Sequence, residues 1–472
     1  MFNKTIFFLV FTLVFFSCSN NNKNKEEEKD NVKPNIILIL ADDLGYGDLS
    51  CYGQENFTTP NIDKLAKEGI RFTQHYAGST VCSPSRNSLM TGFHMGHATI
   101  HGNGSNPDGE GDMPIPAKKT TFVKYLQKSG YKTGIFGKWG LGDCDSEGSP
   151  LKHGFDEFFG YTNQILAHNS FPEYLLQNCE KVYLKNEVKY LDKKSWHKGL
   201  GSISTKKVEF SNDLIFDKAL KFIEKNKSGP FFLYFPTTIP HMNDEAQTGE
   251  HFEIENSDEF ADKNWSEDEK HYALLVKRLD SYIGILEKKI EQLGLAKNTL
   301  IIFTSDNGAV QGIEHLSSNG DLRGYKRDLY EGGIRVPFIA KWPDKIQANT
   351  VSDHISALWD YFPTLLDIAQ IKADSVTDGI SFLPVLLNRG KQKEHKYLYW
   401  EFHWWKPSRQ AIRLEKWKGV RNTPDSKTEL YDLSSDISES HDVAGEHPEI
   451  IKEIEDLFVK ARTDDERWKL KK

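Results

Sequence analysis

Cys82 lies in a short stretch, Cys82-Ser83-Pro84-Ser85-Arg86, whose residue types suggest chemistry. Proline is favoured at the first position of a helix, and that end of a helix attracts anions. A helix that begins near Pro84 would place Cys82 at its start and Arg86 one turn along, on the same face. The stretch therefore predicts either an anion site built around Cys82 or a buried cysteine beside an ordinary helix start.

Acidic and amide side chains follow two apolar runs of the chain. Asp42 and Asp43 follow the run 35–40, and Asp306 and Asn307 follow the run 299–303. Sites in open α/β sheets lie beyond the carboxyl ends of strands, and adjacent carboxylates repel each other unless a cation joins them. A set of oxygen ligands alone favours a hard cation, with calcium ahead of magnesium. The alternative is that these residues only form turns and helix caps.

Three basic residues occupy similar positions. Lys138 and His241 follow predicted strands, and Lys326 lies in a glycine-rich loop. Taken singly, a lysine is usually a solvated surface charge and a histidine is usually structural. Together with Arg86 and a cation, these groups would form a pocket for a tetrahedral dianion and stabilise charge that develops on a transferring group.

The elements that must position these residues alternate along the chain. The continuous apolar run 35–40 is typical of a central parallel strand that is covered on both faces. Further strands are predicted at 131–136, 230–235, 299–303 and 335–342, and helices at 60–68, 121–128, 213–226, 268–293 and 355–369. This alternation predicts an α/β fold with a large, mostly parallel central sheet flanked by helices.

The pattern changes from about residue 375. Short strand-like runs at 397–401, 410–413, 417–421 and 429–433 precede a helix at about 448–462. We predict a catalytic α/β domain over 34–374 and a small C-terminal α+β subdomain, an antiparallel sheet with a helix, over 375–472. The loops at 101–117 and 240–266 are long and polar, which is typical of functional or mobile segments.

The first 33 residues predict export. The largely apolar run 6–16 is too short to span a bilayer but suits the core of a signal peptide. Cys18 follows a small residue at the end of this run, which resembles a bacterial lipoprotein signal over 1–18; an ordinary signal peptide is the alternative. Residues 19–33 are polar and predict a flexible tether. We expect a bacterial lipoprotein anchored through lipid on Cys18, either periplasmic or at the outer membrane or cell surface.

Charge and cysteine content exclude some classes. The net charge of the 472-residue chain is −8, and no basic block is long enough for nucleic acid, so we set that class of partner aside. With Cys18 and Cys82 assigned, Cys51, Cys144 and Cys179 remain, which allows at most one disulfide of unspecified pairing. No cluster of cysteine and histidine has the spacing of a zinc site.

In their joint order, these motifs resemble the sulfatases of the alkaline phosphatase superfamily, over residues 34 to about 444. The most specific piece is Cys82-Ser83-Pro84-Ser85-Arg86 with Thr91-Gly92, and the segment 429–433 resembles the C-terminal signature of the family. The resemblance implies an alkaline-phosphatase-like fold. It also implies that a formylglycine-generating or sulfatase-maturating enzyme converts Cys82 to formylglycine.

The same resemblance implies the ligands and the catalytic groups. One calcium ion would be held by Asp42, Asp43, Asp306, Asn307 and the modified Cys82. Sulfate binding and catalysis would involve Arg86, Lys138, His241 and Lys326. A hydroxyl of hydrated formylglycine would attack sulfur, the lysines would stabilise the sulfate oxygens, and His241 would protonate the leaving alcohol.

One position departs from the family pattern. The family usually has a histidine two residues after the lysine, where it assists the second step, and this chain has Gly140 there. His97 could substitute for it, or the step could proceed without it. A catalytically impaired glycan-binding homologue is therefore an open alternative. A phosphatase or phosphodiesterase of the same superfamily is another, although such enzymes generally use serine or threonine with zinc.

Two segments resemble those that line the sugar pocket of saccharide sulfatases, 167–170 and 401–405. His168, Glu401 and His403 could bond sugar hydroxyls, and Trp404 and Trp405 could stack on sugar rings or belong to the subdomain core. We expect the substrate to be a sulfated oligo- or polysaccharide, galactose-containing or of algal origin.

Overall fold

The computed structural model describes residues 1, 33–104, 112–192, 199–255, 258–403 and 407–472. The predictions of lipid on Cys18 and of sugar stacking by Trp404 and Trp405 lie outside these residues. Residues Pro34–Lys472 form one compact unit, so the domain boundary at 374/375 stays a prediction. In the described ranges, no helix has the length and apolarity that crossing a membrane requires.

The strands are, in chain order, β1 (Asn35–Ala41), β2 (Ile70–Phe72), β3 (His75–Tyr76), β4 (Lys132–Lys138), β5 (Glu157–Tyr161), β6 (Tyr174–Gln177), β7 (Glu180–Tyr183), β8 (Glu187–Tyr190), β9 (Ser202–Lys206), β10 (Phe231–Pro236), β11 (Thr299–Ser305), β12 (Phe338–Lys341), β13 (Thr350–Ser352), β14 (Ser356–Ala357), β15 (Leu398–Phe402), β16 (Arg409–Leu414), β17 (Trp417–Arg421) and β18 (Glu429–Asp432). The helices are α1 (Pro60–Lys67), α2 (Cys82–Thr91), α3 (Phe122–Lys128), α4 (Ser211–Lys225), α5 (Glu267–Gln292), α6 (Glu331–Ile334), α7 (Tyr361–Ile368), α8 (Leu383–Leu386) and α9 (Pro448–Lys460).

Ten of the described strands form the central sheet, in the order β13-β2-β12-β11-β1-β10-β4-β5-β6-β7. The core strands β11, β1, β10, β4 and β5 are parallel, which confirms the predicted class of sheet. The strand predicted at 335–342 is shorter, β12, and runs antiparallel to β11. The carboxyl ends of the parallel strands therefore meet at one edge of the sheet.

Both faces of the central strand are covered. Ile37 and Ile39 of β1 belong to one apolar cluster, which includes residues of α4 and α5, whereas Ile36 and Leu38 belong to another, which includes residues of α3 and α7. Successive side chains of a strand point to opposite faces, so a strand between two helical layers must be apolar throughout. This explains why the run 35–40 has no polar alternation.

The C-terminal part has the predicted antiparallel sheet, in the order β15-β16-β17-β18. Helix α9 packs on it through Ile454 and Phe458, which join Tyr399 and Ile412 in one apolar cluster. The strands begin and end within a few residues of the predicted positions.

Two features that the sequence left open are specified by the fold. Cys144, in the loop after β4, forms a disulfide with Cys179, in the turn between β6 and β7, and Cys51 is free. The described part of the loop 240–266 places Phe252, Ile254 and Phe260 in the core. Although this loop is largely polar in sequence, apolar side chains anchor it.

Candidate active site

The predicted site residues come together at one edge of the central sheet. Asp42 and Asp43 directly follow β1, Asp306 directly follows β11, and Lys138 is the last residue of β4. Backbone bonds fix these ends against one another, since the amide of Asp42 donates to the carbonyl of Ile239 and the amide of Asp306 to that of Ala41. The side chains therefore meet because the parallel strands end there.

Cys82 is the first residue of α2, so this helix begins two residues earlier than predicted. The thiol is buried and donates to Oδ1 of Asp42 at 3.3 Å. Burial, with the nearby carboxylate of Asp42, raises the pKa of the Cys82 thiol well above its usual range. Since the thiolate is the nucleophilic form of cysteine, unmodified Cys82 is a poor nucleophile here.

Arg86 is completely buried and lies between two carboxylates. Its Nε and Nη2 donate to Oδ2 of Asp306 at 3.0 and 2.9 Å, and Nη2 lies 3.4 Å from Oδ2 of Asp42. Its Nη1 donates to the carbonyl of Lys138. Arg86 thus ties the start of α2 to the ends of β11 and β4.

Two lysines complete the charge balance. Nζ of Lys138 lies 2.7 Å from Oδ2 of Asp42, and Nζ of Lys326 lies 2.7 Å from Oδ2 of Asp43. Nδ1 of His241 donates to the carbonyl of Met242 at 2.6 Å, so its Nε2 accepts from Nζ of Lys326 at 3.0 Å. Burial, followed by the charge of Lys326, holds the pKa of His241 well below its usual range, which keeps the imidazole neutral.

The same residues fit a hard cation. Oδ1 of Asn307 is buried and has no hydrogen-bond partner among the described residues, while its Nδ2 donates to Asp43 at 2.7 Å. Ligand atoms of Asp42, Asp43, Cys82 and His241 lie within 4.8 Å of one another. Burial and the charge of Asp42 raise the pKa of Asp306 to about 7, which is a sign of crowded carboxylates. An unpaired amide oxygen beside crowded carboxylates is the donor set that suits calcium.

Comparison with known proteins gives the family of this chain. The family model of sulfatases matches residues 34–371, and that of the N-sulphoglucosamine sulphohydrolase C-terminal region matches residues 323–464. The chain belongs to the sulfatase family. It is accordingly a sulfatase enzyme with the fold that the sequence predicts.

Relatives of this sulfatase cover nearly its whole length. An N-acetylgalactosamine-6-O-sulfatase of Bacteroides thetaiotaomicron is 30% identical, over 92% of this chain and 95% of the relative. Human arylsulfatase A is 31% identical, over 91% and 88% of the two chains. The structure of Ps i-CgsB in complex with k-i-k-neocarrahexaose has a TM-score of 0.71 at 28% identity, covering 91% of this chain and 93% of that one.

Among the predicted substrate-binding residues of the sulfatase, His168 lies at the site. Its ring stacks on that of His241 with centroids 5.0 Å apart, and its Nδ1 lies 2.9 Å from Oε2 of Glu245. The segment 167–170 therefore borders the group of charged residues around Cys82.

Glu401 and His403, the other two predicted substrate-binding residues, lie in a buried hydrogen-bond network. Both are buried, and Glu401 accepts hydrogen bonds from His101, His403, Tyr399 and Arg462. Nδ1 of His403 is bonded to Ser408. These bonds join the C-terminal subdomain to His101 and already engage polar atoms of both side chains, and the role of Glu401 and His403 in binding sugar hydroxyls stays a prediction.

His97, the candidate substitute for the histidine that is absent at Gly140, has partners of its own. Its Nδ1 lies 2.9 Å from both carboxylate oxygens of Asp378, and its ring stacks on His94. The space beside Gly140 is instead occupied by Gln164, which the sequence analysis missed. Only its contact in three dimensions with Gly140 identifies it, because the two residues are distant in sequence.

Proposed function

We propose that this sulfatase removes sulfate from a sulfated saccharide, using a formylglycine made from Cys82 and one calcium ion. The observation that carries the proposal is a buried Cys82 at a helix start among three cations and three carboxylates. Burial raises the pKa of this thiol and makes it a weak nucleophile, which fits a cysteine that is modified before it acts. The relatives named for N-acetylgalactosamine-6-sulfate and for a carrageenan fragment support a sulfated glycan as the substrate.

The charged residues around position 82 fit a formylglycine and a calcium ion. Formylglycine and calcium would supply a hydrated aldehyde oxygen as nucleophile and a fixed positive charge for the sulfate oxygens. The calcium ligands would be the modified residue 82 and the side chains of Asp42, Asp43, Asp306 and Asn307.

The basic residues of the chain would bind and protonate the substrate. Lys138 and Lys326 each lie 2.7 Å from a carboxylate. Their ammonium groups would also stabilise the negative charge on the sulfate oxygens. Nε2 of His241 accepts a hydrogen bond from Lys326 at 3.0 Å, so a proton of Lys326 would pass to Nε2 as His241 protonates the leaving alcohol, and Lys326 would then regain a proton from solvent. Arg86 would keep Asp306 and the start of α2 in place, and His168 would contact the sugar beside His241.

Two measurements test this function. Mass spectrometry of the peptide that contains Cys82, from protein matured in its own host, should show the aldehyde. The matured protein should release sulfate from at least one member of a panel of sulfated galactose, N-acetylgalactosamine and algal oligosaccharides, and Cys82→Ala should release none. An unmodified cysteine in all molecules, or an active Cys82→Ala variant, would refute the proposal.

We also propose that the protein is exported and anchored through lipid on Cys18. The Cys144–Cys179 disulfide supports export, because disulfides persist in oxidising compartments. Replacing Cys18 by alanine should move the protein from the membrane fraction to the soluble fraction without changing sulfate release. Equal membrane association of both forms would contradict the anchor.

A further inference from the structure

Gln164 lies between the start of α2 and the loop that follows β4. Its Nε2 donates to Oγ of Ser83, the neighbour of Cys82, at 3.0 Å. Its backbone amide donates to the buried carboxylate of Asp112 at 2.7 Å, which fixes the main chain at this position. The side chain is 5% exposed, so it is held inside the protein beside the candidate nucleophile.

Gly140 leaves the space that Gln164 occupies. A Cβ atom built on Gly140 would lie 2.0 Å from Nε2 of Gln164, far closer than atoms can approach. Gly140 also has a φ of +71°, a conformation that glycine adopts at little cost. Two residues earlier, Lys138 pairs with Asp42, the carboxylate that accepts from Cys82. The carboxamide of Gln164 therefore lies where a side chain at position 140 would otherwise enter the site.

The oxygen atom of this carboxamide makes no hydrogen bond to the described residues. Oε1 of Gln164 is buried and has no hydrogen-bond partner among the described residues. A buried polar atom without a partner costs about 1–3 kcal/mol, so its presence calls for an explanation. A carboxamide oxygen only accepts hydrogen bonds, which excludes the oxygens of a sulfate dianion as its partner. Its partner must be a hydrogen-bond donor, and a hydroxyl group next to Ser83 would be one.

We propose that Gln164 is a further positioning residue of the active site, whose Oε1 accepts a hydrogen bond from a hydroxyl group on the modified residue 82. This inference rests on the proposed function, because unmodified Cys82 carries no hydroxyl. Gln164 holds that hydroxyl in a fixed orientation without exchanging a proton with it. Gly140 is then glycine because any larger side chain would displace the amide.

A set of variants separates this role from space filling. Gln164→Met keeps the volume but neither hydrogen bond, and Ser83→Ala removes only the bond to Nε2. We expect Gln164→Met to lower kcat about tenfold, the worth of one hydrogen bond, with a much smaller change in KM. Ser83→Ala should change kcat far less. The extent of conversion of Cys82 is measured by mass spectrometry in each variant, and rates are referred to the converted fraction.

Two readouts do not depend on activity. Gly140→Ala should lower the melting temperature more in the wild-type background than in Gln164→Ala, where the clash is absent.

In a crystal structure of the matured protein, Oε1 of Gln164 should lie about 2.6–3.2 Å from an oxygen of residue 82. A separation beyond about 3.5 Å, or full activity of Gln164→Met, would overturn the inference while leaving the proposed function intact. A matured wild type that releases no sulfate would refute the proposed function, and the crystal distance would still decide the role of Gln164.

Discussion

At the scale of single residues, the candidate site places three buried carboxylates against three cations whose side chains are at most 5% exposed. The cations are Arg86, Lys138 and Lys326. Removal of one partner from a buried ion pair typically costs about 3–5 kcal/mol, because the other charge stays buried. We therefore expect Arg86→Met to lower the free energy of unfolding by about this amount, measured by urea denaturation. The free energy of unfolding of Arg86→Lys should lie between those of the wild type and Arg86→Met, because lysine keeps the charge but loses the planar two-point contact with Asp306.

Arg278 provides the matched control for this prediction. It pairs with Asp213 and Glu255 but is 29% exposed in its side chain. Pairs in contact with solvent contribute about 0–1 kcal/mol, so Arg278→Met should change the free energy of unfolding by no more than that. Equal losses in the two methionine variants would show that burial at Arg86 has no special effect.

Asn307 tests the cation site directly. Calcium bound only to the folded protein should raise the melting temperature in proportion to the logarithm of its concentration. Asn307→Leu, which removes the unpaired amide oxygen, should shift this response to higher calcium concentrations. The control is Asn186→Leu, a buried amide that bonds Pro172 and Glu209, which should lower stability but keep the calcium response. An unchanged response in Asn307→Leu would contradict the assignment of this ligand.

The sequence predicts some of these residues well and others poorly, for a physical reason. Asp42, Lys138 and Asp306 end parallel strands, so their proximity follows from the sheet alone. Gln164 lies in a loop and is identified only by its contact with Gly140. Glu401 was assigned to the substrate because its segment resembles those that line a sugar pocket, whereas its carboxylate accepts hydrogen bonds from Tyr399 and the distant Arg462. Local sequence cannot show which polar residue the rest of the fold will enclose.

At the scale of secondary-structure elements, strong periodicity decides what can be predicted. Strands β1, β4, β10 and β11 and the long helix α5 lie within a few residues of their predicted positions, because burial on one or both faces leaves a clear pattern. Strand β5 was not predicted, although it is largely buried. Strands β7 and β8 were missed, since they are short and largely exposed. The apolar anchors of the loop 240–266, such as Phe252, were missed as well, because single apolar residues among polar ones have no period.

That loop also carries a buried acid with a predictable effect of pH. Burial raises the pKa of Glu253 to about 7 from 4.5, although Lys207 opposes this. Since the folded state holds this proton more tightly, the contribution of Glu253 to stability is complete below about pH 4.5 and is lost as the pH rises to about 7. Glu253→Gln removes the ionisation and keeps an acceptor for the amide of Ser170.

We therefore expect the stability of wild type relative to Glu253→Gln to fall between pH 4.5 and pH 7, on the order of 1–3 kcal/mol. Urea denaturation at a series of pH values measures this difference. Glu250→Gln, at an exposed position of the same loop, is the control and should show no such trend. A constant difference between wild type and Glu253→Gln across this range would contradict the argument.

At the scale of the whole molecule, a buried ion network joins the C-terminal sheet to the part of the chain that carries the site. Nζ of Lys418, on β17, lies 2.8 Å from Oε1 of Glu331, the first residue of α6, and 3.4 Å from Oε1 of Glu439. All three side chains are fully buried. Although burial acts to raise it, Lys418 and Arg335 hold the pKa of Glu331 down to about 2. Since α6 begins five residues after Lys326, this network connects subdomain packing with the catalytic loop.

Lys418→Met should therefore affect both stability and catalysis. It leaves two buried carboxylates without their shared cation, and the expected loss in free energy of unfolding is about 3–5 kcal/mol. Lys416→Met, whose lysine is 49% exposed and pairs with Asp432, is the matched control and should cost less than about 1 kcal/mol. Adding Glu439→Gln to Lys418→Met should restore part of the lost stability. Burial raises the pKa of Glu439 to about 7, so of the two carboxylates it is the one that the protein stabilises less in its charged form.

Sulfate release by Lys418→Met, measured well below its melting temperature, should fall as the loop that holds Lys326 loses its anchor at Glu331. If Lys418→Met matched Lys416→Met in both stability and rate, the C-terminal sheet would pack on the catalytic part through its apolar contacts alone.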